Sequence, residues 1–140
     1  MQKKLTGLSD TERFARDFLN NVLTNNVVGL TGDLGAGKTT FVQMLAKELA
    51  VSVPVVSPTF LLLKMYSFPE FKDMRNLVHL DMYRINDWSE IESLGLPEMW
   101  NDDKNLILIE WADRIKDDLP EKTQFLHFAH VDEDTRTVEY

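Results

Sequence analysis

The apolar run Val27-Val28-Gly29-Leu30 leads into Gly-Asp-Leu-Gly-Ala-Gly-Lys-Thr at residues 32–39, and no other stretch leaves the chain less freedom. Glycines at 32, 35 and 37 reach backbone angles closed to most residues, so successive amide N–H groups can curl toward one point. A helix over about 38–49 follows, with Phe41, Val42, Leu45, Ala46 and Leu49 on one face. Its N-terminal N–H groups and positive dipole end face the same point, which makes the turn a pocket for an anion.

The pattern Gly-x-x-x-x-Gly-Lys-Thr is met at every defined position. It assigns the backbone of Asp33, Gly35, Ala36 and Gly37 to cradling phosphates, and Lys38 to the β- and γ-phosphates. The Thr39 hydroxyl is placed to ligate Mg²⁺, and Thr40 to touch the α-phosphate. A nucleoside triphosphate with magnesium is the expected ligand.

The rest of the chain alternates helix and strand. Ser9 and Glu12 read as a capping box for a helix over 10–23, with Phe14, Ala15, Phe18, Leu19, Val22 and Leu23 as its apolar stripe. Residues 60–68 and 77–83 read as strands around a turn at 69–76, and 88–94 as a short helix. In the second strand Leu77, His79 and Asp81 share one face, and Val78, Leu80 and Met82 the other. Leu106-Ile107-Leu108-Ile109 is continuously apolar, as in a parallel strand covered on both sides. Residues 124–131 and 135–140 suggest a terminal hairpin. The expected fold is α/β, a phosphate-loop three-layer sandwich with a mixed, largely parallel central sheet. The strand order is not readable.

A phosphate-binding loop of this kind needs an acidic partner at the metal, supplied by a second apolar strand. Glu110 ends the 106–109 strand, at the carboxyl edge where ligands gather in such sheets. Asp81 is the other candidate. For both, a solvated or ion-paired carboxylate is the alternative reading. His79 shares the face of Asp81, although a lone histidine on a strand is more often structural. In Ser57-Pro58-Thr59 a hydroxyl would sense a γ-phosphate or orient water, whereas the bare tripeptide reads as a turn. Trp88, Trp100 and Trp111 read by default as packing residues.

Composition narrows the rest. With 140 residues, 44% of them hydrophobic, the chain suits one domain over 1–140. The absence of cysteine excludes disulfides, thiolate catalysis and cysteine-bound zinc. No apolar run approaches the roughly 20 residues of a membrane span, and a cytoplasmic protein is expected. The net charge of −8 opposes a non-specific grip on nucleic acid, and it would equally serve solubility or complement a basic protein partner.

These pieces together resemble the bacterial TsaE (YjeE) family. The resemblance rests on Thr11, on 32–40, and on Val-Ser-Pro-Thr-Phe (56–60) and His-Leu-Asp-Met-Tyr-Arg (79–84). Leu-Gly-Leu (94–96) and Ile-Glu-Trp-Ala-Asp-Arg (109–114) complete it, with Ala112 where the family often has proline. The resemblance implies an ATPase that serves synthesis of N6-threonylcarbamoyladenosine (t6A) at position 37 of tRNA. It further implies action on the TsaD–TsaB heterodimer, with tRNA met only indirectly. By position, Lys38 and Thr39 would hold phosphate and Mg²⁺, and Glu110 would be the second metal-site group. Asp81 would act near the metal, through coordinated water or on the attacking water. Thr59 would respond to the γ-phosphate, Trp111 would be needed beside the site, and Thr11 would lie near the base or sugar.

Other readings fit less well. A guanine-specific switch protein would carry Asn-Lys-x-Asp, which is absent. A small-molecule kinase would want an arginine-bearing lid, and the longest candidate insert, 68–76, holds only Arg75. A nucleotide-dependent interaction module without useful hydrolysis is the remaining alternative.

Overall fold

A computed structural model describes residues 1–58 and 62–140. Among these, seven strands form one sheet in the order β1-β7-β6-β2-β5-β4-β3. The strands are β1 (Gln2–Thr6), β2 (Val27–Thr31), β3 (Leu63–Phe71), β4 (Met74–Asp81), β5 (Asn105–Glu110), β6 (Gln124–His130) and β7 (Thr135–Glu139). The four central strands, β6, β2, β5 and β4, run parallel. Antiparallel neighbours close each side, β3 on β4 and the β7–β1 pair on β6. The mixed α/β sandwich expected from the sequence is the fold found.

Helices α1 (Gly7–Asp17) and α2 (Lys38–Glu48) cover one face. The stripes read from the sequence point inward. Phe14, Phe18, Phe41, Leu45 and Leu49 are buried against Leu77, Leu106, Leu108 and Phe128 of the sheet. Phe41 sits at the centre of this layer, its ring 5.5 Å from Phe14, 5.6 Å from Phe18 and 5.4 Å from Phe128. The opposite face carries Val78, Leu80, Met82, Ile107 and Ile109. It is covered by short helical turns and by α3 (Leu96–Trp100). Every residue of β5 is buried, as its unbroken apolar run requires. Among the described residues no helix is long and apolar enough to cross a membrane.

Several local expectations are corrected. The first helix begins at Gly7, and Ser9 caps nothing. Asp10, in the first turn, instead reaches back to Thr6, the residue at the cap position. Its carboxylate accepts the Thr6 backbone N–H at 2.9 Å and pairs with Arg13, and both interactions, the backbone bond first, hold it below the usual carboxylate range. The helix then widens into a π-helical turn over Phe18–Val22, keeping Phe18 and Leu19 buried. The 69–76 turn is far tighter than expected, since β3 runs through Pro69 and turns only at Lys72 and Asp73. Both have positive φ, 48° and 67°, the geometry of a two-residue hairpin turn. Pro69 is tolerated because β3 is an edge strand whose register shifts between Ser67 and Phe71. The expected start of β3 at Phe60 lies outside the described residues. The 88–94 helix is instead two separate 3₁₀ turns, Trp88–Glu90 and Glu92–Leu94.

Phe41→Ala should cost about 3–5 kcal/mol, because the aromatic layer cannot collapse around three rings at once. Urea unfolding followed by circular dichroism measures this. A loss below about 1 kcal/mol would show that another part of the sheet carries this face.

Candidate functional site

Parallel pairing brings the carboxyl ends of β2, β4 and β5 to one edge. The register sets Leu30 beside Glu110 and Glu110 beside Asp81. The loop leaving β2 therefore arrives next to both carboxylates, although they are far apart in sequence. Within that loop Gly32 adopts φ +134°, and a Cβ there would lie 2.2 Å from the carbonyl oxygen of Phe128. Gly35, at φ +78°, has nothing within 4 Å of the corresponding position. Both need glycine for backbone angle, but only Gly32 needs it for space as well.

The loop, α1, β7 and the two carboxylates line a cleft of about 570 Å³. Gly35, Ala36, Gly37, Lys38, Thr39 and Thr40 form its floor, with Thr11, Ser57, Asp81, Glu110 and Trp111 around it. The structure thus gathers most of the residues picked out in the sequence. Asp33 is the exception. Its carbonyl accepts from Lys38, but the residue lines a neighbouring depression with Asp113, Lys116 and His127. Thr59 lies outside the described residues.

Lys38 is 5% exposed, and its Nζ donates to the Gly32 carbonyl at 2.5 Å and the Asp33 carbonyl at 2.9 Å. The ammonium also lies 4.2 Å from the centre of the Trp111 ring. Burial pushes its pKa down from the usual lysine range, against the opposing pull of Glu110, Asp81, Asp113 and Asp33. A buried cation short of compensating charge favours an arriving anion.

The two carboxylates are held differently. Thr39 donates its hydroxyl to Glu110 Oε1 at 2.7 Å, while His79 Nε2 lies 2.6 Å from Glu110 Oε2. Asp81 Oδ1 accepts the Tyr83 backbone N–H at 2.9 Å, and Oδ2 accepts the Ser57 hydroxyl at 3.4 Å. Trp111 follows Glu110 in the left-handed region, φ 57°, which turns its ring back over the cleft. There it packs 4.9 Å from Tyr83, with the Arg114 guanidinium 5.8 Å from its ring centre. The packing role expected of the tryptophans holds for Trp88 and Trp100, whose rings meet 5.8 Å apart, and for Trp111, which packs against the same core layer and also lines the cleft.

Sequence reasoning missed one wall of the cleft. Arg136, on β7, donates through Nε to the Gly35 carbonyl at 3.0 Å, and Gly7, Leu8, Leu34 and Asp134 complete that side. No local signal marks Arg136. Its position follows from β7 lying beside β6 and β6 beside β2, an order invisible in the sequence.

Fold and cleft together define an α/β protein of the phosphate-loop class. Comparison with known proteins is more specific. The family model described as "Threonylcarbamoyl adenosine biosynthesis protein TsaE" matches residues 5–138, and the chain belongs to the TsaE family. It is 44% identical over 113 residues to the tRNA threonylcarbamoyladenosine biosynthesis protein TsaE of Rickettsia prowazekii (strain Madrid E), covering 80% of this chain and 74% of that protein. To the protein of the same name from Rickettsia bellii (strain RML369-C) it is 38% identical over 136 residues, 96% of this chain and 90% of that one. Among solved structures, Bacillus subtilis YdiB superposes with a TM-score of 0.76 at 27% identity, covering 99% of this chain and 82% of that one.

Gly32→Ala should lose at least about 2 kcal/mol of stability, since both backbone angle and contact with Phe128 oppose it. Gly35→Ala should lose about 1 kcal/mol, the angle alone. Urea midpoints of the two variants rank them. Equal losses would contradict the loop packing described.

Proposed function

We propose that this protein is a Mg²⁺-dependent ATPase that serves t6A synthesis at position 37 of tRNA by acting on the TsaD–TsaB heterodimer. One observation carries the reading: the glycine loop with its buried Lys38 and the Thr39–Glu110 pair open into one cleft. The biosynthetic role follows from the names borne by the family and its relatives.

The residues present suit magnesium. Mg²⁺ is usually held by one or two protein oxygens together with substrate phosphates and water, not by an all-protein cage. Among the described residues no cluster of three or more His, Cys, Asp or Glu forms such a cage, whereas Thr39 and Glu110 offer two adjacent oxygens beside the loop. Bound there, the ion would offset charge on the β- and γ-phosphates. Lys38 and the loop amides would offset the same charge. The backbone of Gly35, Ala36 and Gly37 and the Thr40 side chain hold the phosphates, and Thr11 meets the base or sugar.

Asp81 is the residue proposed to orient the attacking water. It is 6% exposed, and its oxygens are steered by Tyr83 and Ser57. Thr59 is proposed as the γ-phosphate-responsive residue. Hydrolysis or product release would then alter the segments around Thr59 and Asp81, and with them the grip on the partner. The net charge of −8 suits a protein partner better than a direct hold on tRNA.

Phosphate release measured with and without purified TsaD–TsaB tests this. Turnover should be slow alone and rise at least about tenfold with the heterodimer, a change of ~1.4 kcal/mol in barrier. Turnover that depends instead on a small-molecule acceptor and yields a phosphorylated metabolite would overturn the accessory-ATPase reading. In cells, Lys38→Ala should leave a folded protein and abolish t6A in bulk tRNA; normal t6A would show that nucleotide chemistry does not drive function.

A further inference from the structure

His79 is completely buried on β4, on the same face as Leu77 and Asp81. Its Nε2 lies 2.6 Å from Glu110 Oε2, and its Nδ1 is buried without a partner among the described residues. An ionised carboxylate only accepts, so Nε2 is the nitrogen that donates. A buried imidazole with an unpaired nitrogen costs stability that an apolar side chain of similar volume would not. The bond to Glu110 is the compensating return.

That bond has a geometric consequence. Glu110 has rotatable side-chain bonds, and its carboxylate is fixed at both oxygens, Oε2 by His79 and Oε1 by Thr39. His79 is thus the tie on the oxygen that Thr39 does not reach. The strand register enforces the arrangement: His79 pairs with Leu108 across the parallel β4–β5 ladder, which sets the imidazole diagonally beside Glu110.

We infer that His79 is a positioning residue that holds Glu110 in its metal-binding orientation before magnesium arrives. This rests on the reading of Thr39 and Glu110 as the magnesium end of the cleft. His79 itself touches neither nucleotide nor metal. Second partners of this kind typically set metal affinity by a factor of about 10–100.

The test is equilibrium binding of the fluorescent analogue N-methylanthraniloyl-ATP, titrated with MgCl₂ and repeated in EDTA. The full chain is compared with His79→Met, which fills the space without a donor, and His79→Gln, whose amide can still reach Oε2. For His79→Met the Mg²⁺ midpoint should rise about 10–100-fold while affinity in EDTA stays within about twofold. His79→Gln should restore the midpoint to within about threefold of the native value. An unchanged midpoint in His79→Met overturns the inference. So does an equal loss in Met and Gln variants that also appears in EDTA, the mark of a purely structural residue. If His79→Met does not fold, His79→Asn, whose amide stops a methylene short of Oε2, takes its place with the same expectation. Failure of the underlying reading is separately visible: native protein binding equally well with and without Mg²⁺ removes the metal end itself, and this inference with it.

Discussion

The parallel pairing of β2 with β5 is the constraint on which the rest of the site depends. It places Glu110 beside Leu30, one strand across from the loop that Leu30 feeds, and so within reach of Thr39 at the start of α2. Glycine-rich loops hold anions by backbone geometry alone. The neighbouring strand supplies what the loop lacks, an acidic oxygen at the threonine hydroxyl. A change of one residue in that register would turn the Glu110 side chain to the opposite face of the sheet, away from α2.

The electrostatics of the cleft are unbalanced in a way that favours one class of ligand. Lys38 is buried among carbonyls and an indole, with its charge disfavoured by desolvation. Two buried carboxylates stand close by, each already tied by hydrogen bonds. A polyanion that brings a divalent cation satisfies both ends at once, which neither a bare anion nor a bare cation does. Trp111 joins the two halves. Its left-handed backbone costs about 1–2 kcal/mol, and the ammonium over its ring returns an amount of the same order.

How much was legible in the sequence follows from how local each signal is. The loop, α2, β5 and the terminal hairpin carry their own signatures, and each stands where it was expected. The face shared by Leu77, His79 and Asp81 was also readable, because a strand's alternation is strict. Failures came where neighbours override local preference. Gln-Lys-Lys-Leu-Thr has almost no strand pattern of its own and becomes β1 only by pairing with β7. Pro69 resembled a turn until the edge position of β3 made it tolerable. Arg136 and the His79–Glu110 bond depend on strand order and register, which no motif encodes. The family could be recognised because its motifs are mostly these site-facing segments.

The central claim is that Thr39 and Glu110 together form the metal end of a nucleotide cleft. Anomalous diffraction from crystals grown with Mn²⁺ and a non-hydrolysable ATP analogue tests it most directly. A single manganese peak in contact with the Thr39 hydroxyl, the Glu110 carboxylate and phosphate oxygens is the predicted result. A peak held by Asp33 and Asp113 in the neighbouring depression, with Glu110 still bonded to Thr39, would contradict it.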